Sequence, residues 1–377
     1  MLYPNNLKLT LLFWGGLFLI ISACNQDVPT PIPFERYTAP LHYVCYRVAD
    51  SLVIDGDLSE NDWAQATWSK LFIDIEGEEQ VQPHYNTRMK MLWDSNYLYI
   101  AAHMEEEHLW ATLTQHDAIV YRDNDFEVFI DPDGDTHHYY EIEVNAFNTI
   151  LDLLMVKPYR NGGPLVMDWE LPALQSAIGL QGTLNNPKDT DTAWTVEMAI
   201  PLKALRKKLS SPLAKGGDQW RINFSRVQWD LEATDSNYIK KKGSSGAFFP
   251  EHNWVWSPQG LINMHYPEKW GYLQFSDNKV GTDSEEFAEP VATALRWKLR
   301  QLYYRQKLYY AEHGRYAASL DQLQVNLKEL EGHSIDIYNS PSSFEIIGGK
   351  DENGNWWKID HNGLIREHLR KNSPTNG

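Results

Sequence analysis

The sequence has 377 residues, and its 34 lysines and arginines face 51 aspartates and glutamates, which gives a formal net charge of −17. Such an acidic chain repels phosphates and anionic lipid headgroups, which argues against nucleic acid or a charged membrane surface as its main partner. Its 15 tryptophans and 20 tyrosines supply rings both for a core and for stacking on the flat apolar faces of sugars.

The N-terminus carries an apolar run over residues 11–21. This run is too short to cross a bilayer, which needs about 20 residues, but it has the length of a signal-peptide core. It ends in Ile-Ser-Ala-Cys at residues 21–24, which resembles a bacterial lipobox. The sequence therefore predicts a lipoprotein signal peptide over 1–23 and a mature chain that begins at a lipidated Cys24. An ordinary secretory signal cut near Ala23 is the alternative.

The predicted location follows from that N-terminus. We expect the protein in the cell envelope, lipid-anchored at the outer membrane or cell surface of a Gram-negative bacterium, and in contact with the membrane through the lipid only. The proline-rich residues 24–42 are typical of a tether.

Residues 43–276 contain many short runs that alternate apolar and polar residues, separated by turn residues such as those at 94–96. This pattern is typical of a mainly β protein with an antiparallel, jelly-roll-like β-sandwich. A short helix is predicted over 202–209. Strands are predicted over 89–93, 97–103, 126–130, 139–145, 194–200, 220–227 and 271–275.

The remainder of the chain has a different pattern. Residues 277–290 have the composition of a linker, and the spacing of leucines over 291–313 predicts a helix that ends at Gly314. We expect a small α+β extension over 291–377, to which the sequence assigns no role. Its other predicted elements are a helix over 319–330 and strands over 344–347, 356–359 and 364–367.

Five segments, in order, resemble motifs of the family 9 carbohydrate-binding modules. They are IDGDLSENDW at 54–63, LWDSNYLY at 92–99, DFEVFID at 125–131, WTVEMAIP at 194–201 and YPEKWG at 266–271. The resemblance covers about 51–276. It implies a non-catalytic β-sandwich that binds sugars, often at chain ends, and that carries bound calcium.

The resemblance also implies a site. Better-known members hold the sugar between two tryptophans, whose counterparts here are Tyr121 and Met264. The family's binding glutamate is matched by Glu127, whereas Glu143 stands where the family has an arginine. The resemblance therefore implies a carbohydrate-binding cleft between these two segments, with an altered clamp.

Neighbouring residues have side chains suited to the same chemistry. Carboxylates and guanidinium groups form forked hydrogen bonds with paired hydroxyls, and indole rings stack on sugars. The alternative is structural, with Glu127 and Arg226 as an ion pair and the tryptophans buried. The further candidates are Arg122, Asp123, Arg226, Trp229, Trp256 and His265.

Asp131, Asp133 and Asp135 have the alternating spacing that calcium loops use, because this hard cation prefers several oxygen ligands. An ordinary aspartate-rich turn is the alternative reading. No other cofactor is expected.

The sequence contains no motif that specifies catalysis. The segment Gly-Ser-Ser-Gly at 243–246 lacks the spacing of a nucleophile elbow, and His-His-Tyr-Tyr-Glu at 137–141 lacks metalloprotease spacing. We therefore predict a non-enzyme that binds glycan and supports polysaccharide capture or degradation. Two alternatives are a non-covalent haem protein for electron transfer, with ligands in the loop of Met264 and His265, and an assembly component that docks protein partners through its C-terminal extension.

Overall fold

The computed structural model describes residues 39–50, 52–206, 213–330 and 332–369, and these form a mainly β protein. The predicted signal peptide, Cys24 and most of the predicted tether lie outside the described residues. Within the described ranges, no helix has both the length and the apolar character needed to cross a bilayer.

Most strands belong to one large sheet that folds into two layers. Its strands are β1 (His42–Arg47), β2 (Ile73–Asp74), β3 (Thr87–Trp93), β4 (Tyr97–Glu105), β5 (Asp125–Asp131), β6 (Tyr139–Asn145), β7 (Ile150–Met155), β8 (Leu165–Val166), β9 (Gln175–Gln181), β10 (Ala193–Pro201), β11 (Gln219–Gln228), β14 (His252–Val255) and β15 (Gly271–Lys279). They are arranged in the order β8-β7-β6-β5-β11-β15-β1-β3-β4-β10-β9, and β14 and β2 continue the sheet from β11. A short helix, α1 (Asn61–Gln65), and a hairpin of β12 (Leu231–Ala233) and β13 (Tyr238–Lys240) are attached to it.

The sandwich core lies between the two layers. Buried side chains of β3, β4 and β10 pack there against those of β5, β6 and β11. Because side chains alternate along a strand, every second residue of β5 and β6 enters this core. The core residues of these two strands are Phe126, Val128, Ile130, Tyr140, Ile142 and Val144.

The other residues of β5 and β6 lie on the opposite face of their layer. In the antiparallel register, Glu127 is opposite Glu143 and Phe129 is opposite Glu141. The sequence of β5 therefore places an acidic face directly behind an apolar one. The predicted β-sandwich is confirmed, and β6 has the bounds predicted for it.

The C-terminal extension is an α+β unit with its own apolar core. Helix α2 (Thr293–His313) packs on a four-stranded antiparallel sheet, and Asn353 and Gly354 lie in the turn between its two middle strands. Tyr266 of the sandwich is part of that core, so the extension packs on the sandwich. Its strands are β16 (Ser334–Asn339), β17 (Phe344–Gly349), β18 (Trp356–Asp360) and β19 (Ile365–His368).

Two predicted helices need correction. Residues 319–326 form turns, and only Leu327–Leu330 is helical, as a 3-10 turn. Arg305 donates to the carbonyl oxygens of Leu323 and Gln324, at 3.2 and 2.9 Å, and Gln324 has a left-handed φ of 55°. These features divert the backbone from helical geometry.

The predicted helix over 202–209 is a turn at 202–205, and residues 207–212 lie outside the described residues.

Paired buried charges stabilise the contact between the extension and the sandwich. Arg160 donates to both carboxylate oxygens of Glu268 at 2.8 and 2.9 Å, and Tyr304 of α2 donates to the same carboxylate. Burial would raise the pKa of Glu268, but Arg160, Arg300 and the Tyr304 hydroxyl together lower this pKa to about 2. We refer to Arg160, Glu268, Arg300 and Tyr304 as the paired network.

Candidate functional site

A cleft of about 420 Å³ opens on the outer face of β5, β6 and β7, away from the sandwich core. Its volume falls within the range of small-ligand sites, about 300–1,000 Å³. Its floor includes apolar side chains of β5 and β7, namely Phe129, Leu151 and Leu153. The strand alternation that builds the core therefore also builds this cleft.

Acidic side chains are concentrated on one side of the cleft. Oxygen atoms of Asp125, Glu127 and Glu143 all lie within 4.8 Å of one another. These three residues are 0, 5 and 3% exposed, respectively. Glu127, Glu141, Glu143 and Glu251 line the cleft, whereas Asp125 lies beside Glu127 and Glu143 and is not part of the lining. We refer to Asp125, Glu127, Glu141 and Glu143 as the carboxylate cluster.

Burial and mutual repulsion make this cluster unusual. Burial raises the pKa of Glu127 to about 7, and burial together with the charge of Glu127 raises the pKa of Glu141 to about 8. The pKa values of Asp125 and Glu143 are also raised, chiefly by burial and then by neighbouring carboxylates. No lysine or arginine is among the described residues that line the cleft. The cluster therefore groups buried carboxyl groups with no lysine or arginine in the described lining, and this environment favours their neutral, protonated forms.

Aromatic and sulfur-containing side chains form the other walls. Tyr121 and Tyr159 both line the cleft and are 41 and 44% exposed. His265 packs edge-on against Tyr159, at 4.5 Å between ring centroids, and its Nδ1 is 3.0 Å from the Tyr139 hydroxyl. Burial and the charge of Arg160 lower the pKa of His265 to about 3, so this imidazole is neutral at pH 7. Met264 completes this wall.

The structure brings five of the predicted binding residues together at the cleft and places the other five elsewhere. Arg122 is exposed beside Tyr121 but does not line the cleft. The five that line it are Tyr121, Glu127, Glu143, Met264 and His265.

The structure does not place Arg226 in the cleft, where the sequence had predicted it. Its position on β11 directs it to the core side of the layer, where it is 0% exposed. It pairs with Glu106 at 3.0 Å and donates to Thr87 and Gln228. The expected donor to sugar hydroxyls is thus a structural ion pair, and its partner is Glu106 rather than Glu127.

Two further predicted residues also have structural roles. Trp256 is 2% exposed and packs in the sandwich core beside Phe224. Asp123 is fully buried, and its carboxylate accepts hydrogen bonds from Thr112, Leu113 and Asn145. Neither side chain is accessible to a ligand in the cleft.

Trp229 contacts the backbone of the lining residue Tyr121. Its indole nitrogen donates to the carbonyl oxygen of Tyr121 at 2.9 Å, and Lys240 lies 3.3 Å from the centroid of its ring. The lysine covers one face of this ring. Trp229 therefore positions the backbone of Tyr121 and does not line the cleft.

Several lining residues lie outside the predicted set, among them Tyr159, which is 44% exposed. Tyr159 begins a 3-10 turn, Tyr159–Asn161, which ends at Gly162 with a left-handed φ of 64°. The next residue, Gly163, approaches Lys157 so closely that a Cβ there would lie 1.9 Å from its carbonyl oxygen. The Pro-Tyr-Arg-Asn-Gly-Gly segment was a usable signal for a tight turn. The other missed lining residues with polar side chains are Glu141, Glu251, Asn253 and Asn263.

The predicted calcium turn brings oxygen atoms of Asp131, Asp133 and Asp135 within 4.8 Å of one another. Each carboxylate also accepts a backbone N–H of the same turn, from Thr136, Asp135 and His137, respectively. The turn is therefore organised by its own aspartates, and calcium at this position stays a prediction.

Comparisons with known proteins agree with the motifs. Residues 54–223 match the model of a family described as carbohydrate family 9 binding domain-like, and this match contains four of the five motifs. No curated protein matches the chain.

Solved structures with some similarity include a proposed carbohydrate-binding protein from Bacteroides uniformis ATCC 8492, at 17% identity and a TM-score of 0.47, which covers 63% of this chain and all of that one. Two others are a family 9 module from Caldicellulosiruptor kristjanssonii in complex with cellotriose and with glucose. Their identities are 15 and 16%, both TM-scores are 0.38, and they cover 65 and 64% of this chain and all of theirs. Residues 54–223, a little under half of the chain, are therefore similar to the carbohydrate family 9 binding domain-like family.

Proposed function

We propose that the cleft binds a saccharide and that the protein is a non-catalytic glycan-binding protein. The observation that carries this proposal is the pairing of two exposed rings, Tyr121 and Tyr159, with polar side chains in one cleft of the family-matched sandwich. Flat rings suit the apolar faces of sugars, and carboxylate and amide groups suit their hydroxyls.

The contacts available in the cleft support weak binding. Both rings are tyrosines, which bury less apolar surface than the two tryptophans implied by the family resemblance. Asn253 and Asn263 each offer a donor and an acceptor, and Glu251 offers acceptors only. We expect a dissociation constant of about 10⁻³ to 10⁻⁵ M, or roughly −4 to −7 kcal/mol.

Two carboxylates of the cleft, Glu127 and Glu143, do not lie on either side of it as the acids of a glycosidase do. A glycosidase places two carboxyl groups on either side of the bond that it cleaves. Here Glu127 and Glu143 are register partners on adjacent strands, and Glu143 also accepts the backbone N–H of Tyr121 at 2.9 Å. Both groups therefore lie on one side of the cleft, which supports binding without catalysis.

The proposed cellular role combines this site with the N-terminus. We propose that the protein is exported, is anchored through a lipid on Cys24, and holds polysaccharide at the cell envelope for capture or degradation. The apolar run and lipobox-like residues 21–24 support the anchor. Replacing Cys24 with serine should release the protein from membranes, which fractionation would show.

No contact of the cleft favours the haem alternative. A haem in this loop would use Met264 and His265 as ligands, but the Met264 sulfur accepts a hydrogen bond from Gln259 at 3.0 Å. His265 is engaged with Tyr139 through Nδ1. The protein partners suggested for the C-terminal extension stay a prediction.

A glycan array tests the saccharide proposal. We expect wild-type protein to retain at least one glycan and both Tyr121→Ala and Tyr159→Ala to lose it. Tyr338→Ala is the matched control, because Tyr338 is 57% exposed and lies on β16 of the extension, outside the cleft. Equal loss in all three variants, or no retained glycan with wild-type protein, would contradict the proposal.

A further inference from the structure

A small cavity of about 30 Å³ lies where the C-terminal extension packs on the sandwich. Three arginines line it, Arg221 from β11 and both Arg296 and Arg300 from α2. A single water needs about 10–15 Å³ of such space, so the cavity has room for one compact ion. Among the described residues, none lines both this cavity and the saccharide cleft, so the two are separate.

Two of these arginines have hydrogen-bond donors to spare. A guanidinium group carries five N–H donors. Among the described residues, Arg221 donates only to the carbonyl oxygen of Trp270, and Arg296 donates only to that of Gly134. Arg221 is 9% exposed, and the ring of Tyr272 covers one face of its guanidinium at 3.6 Å. Donors in so covered a place usually have a partner such as an ion or ordered water.

The acids around the cavity offset only part of its positive charge. Glu268 is the one acid among the described residues that line it, and this carboxylate is shared between Arg160 and Arg300. Asp131 lies opposite Arg221 in the register of β5 and β11, so it offsets one further charge. With the third lining arginine included, four arginines are matched by two acids. A bound anion would reduce this imbalance.

The start of α2 adds to the positive potential of the cavity. Thr293, the first residue of this 21-residue helix, lines the cavity, and the first turn contains no acidic residue. Glu352 accepts the backbone N–H of the residue before the helix, at 2.8 Å. Burial lowers the pKa of Arg296, and the charges of Arg221 and Arg300 lower it further. The guanidinium groups therefore repel one another beside the positive end of the helix dipole.

We propose that this cavity binds a halide ion of the chloride type between Arg221, Arg296 and Arg300. A chloride ion is only a little larger than a water molecule, so the cavity encloses it, whereas sulfate and phosphate carry four oxygens each and are too large. The anion accepts N–H donors from both the sandwich and α2, and charge-assisted hydrogen bonds of this kind are the strong ones. It therefore strengthens the attachment of the extension.

The test is the NMR line width of chloride added to the purified full chain, kept in detergent in a chloride-free buffer and without glycan. Slow tumbling of a bound chloride broadens this signal. We expect wild-type protein to broaden it and Arg296→Gln to remove at least half of that excess width. Arg315→Gln is the matched control, because Arg315 is exposed just beyond α2 and does not line the cavity.

Competing anions sharpen this test. Bromide should displace chloride and narrow the signal, whereas sulfate at equal ionic strength should leave it broad. Equal broadening by wild-type protein and both variants, or displacement by sulfate as effective as that by bromide, would overturn the proposal.

A second measurement needs no variant. Crystals of wild-type protein grown in bromide should show an anomalous scattering peak within hydrogen-bond distance of the guanidinium groups of Arg221, Arg296 and Arg300. Bromide peaks at other positions only would overturn the proposal. Because neither measurement includes a sugar, failure of this site is separate from failure of saccharide binding.

Discussion

The carboxylate cluster and the paired network both bury acids, but they differ in what surrounds those acids. Glu268 of the paired network accepts two bonds from Arg160 and one from Tyr304. Three of the four acids of the carboxylate cluster, Glu127, Glu141 and Glu143, line a cleft whose described lining has no lysine or arginine. The pKa of Glu268 is lowered to about 2, whereas the pKa values of Glu127 and Glu141 are raised to about 7 and 8.

This difference separates structural acids from candidate binding acids. An acid with buried cation partners contributes to folding, and removing a partner leaves an unpaired charge. Acids that are grouped without a cation oppose folding when ionised, and clusters of this kind are enriched at functional sites. We therefore interpret the paired network as the attachment of the extension and the carboxylate cluster as part of a binding site.

The largest expected effect comes from breaking the paired network. Arg160→Ala removes the bidentate partner of Glu268 and the bond to the His265 carbonyl oxygen, which measures 2.7 Å. We expect the free energy of unfolding to fall by about 3–5 kcal/mol, as for other broken buried pairs. Urea unfolding measures this. A loss below about 1 kcal/mol would mean that the pair is not structural.

In the carboxylate cluster, by contrast, we expect a substitution to raise the free energy of unfolding. Glu141→Gln replaces an acid whose pKa is raised to about 8 with a neutral group of the same shape. At pH 8 in EDTA, we expect the free energy of unfolding to rise by about 1–2 kcal/mol, because one repulsive charge is removed. The same urea series serves as the measurement, and destabilisation by this variant would contradict the repulsion argument.

The two regions also differ in their dependence on pH. Glu127 and Glu141 have pKa values above those of the unfolded chain, so their contribution to stability is complete below about pH 4.5 and is lost as the pH rises through about 7–8. Glu268 has a lowered pKa, so its contribution is complete above about pH 4.5 and is lost as the pH falls toward about 2.

Melting temperatures measured in EDTA from about pH 2 to about pH 8 test both predicted pH dependences, that of the carboxylate cluster and that of Glu268. Wild-type protein should lose stability on the alkaline side, and Glu141→Gln should flatten that side alone. A wild-type profile that rises steadily from pH 5 to pH 8 would show that the cluster is not strained when it is ionised.

The smallest effect on stability is expected at the cleft wall. Tyr159→Ala changes a half-exposed ring in a surface turn, so we expect the free energy of unfolding to change by no more than about 0.5 kcal/mol. Glycan retention should nevertheless be lost. A strongly destabilised variant would make Tyr159 a packing residue instead of a binding residue.

Local sequence predicted the strands well because strand alternation is a local property. The alternation in β5 and β6 predicted both elements and, with the motifs, placed Glu127 and Glu143 together. The partner of Arg226 could not be predicted in this way, because Glu106 is 120 residues away and meets it only after the layers fold. The prediction of a helix over 319–330 is wrong for the same reason. Arg305 of α2 donates hydrogen bonds to the carbonyl oxygens of Leu323 and Gln324, and these contacts form only in the folded chain.

The cleft walls were only partly predictable for the same reason. Tyr159 comes from a turn outside the five motifs, so nothing local related it to Tyr121. Trp254 and Trp256 share one strand face, but only the folded sandwich shows that this face is the core.

Methionine methyl NMR with a retained glycan tests the location of binding most directly. Met264 and Met167 line or border the cleft, whereas Met89, Met91 and Met198 lie in the sandwich core. We expect glycan to shift the signals of Met264 and Met167 and to leave the three core signals unchanged. Binding that shifts neither cleft methionine would contradict the assignment of this cleft as the saccharide site.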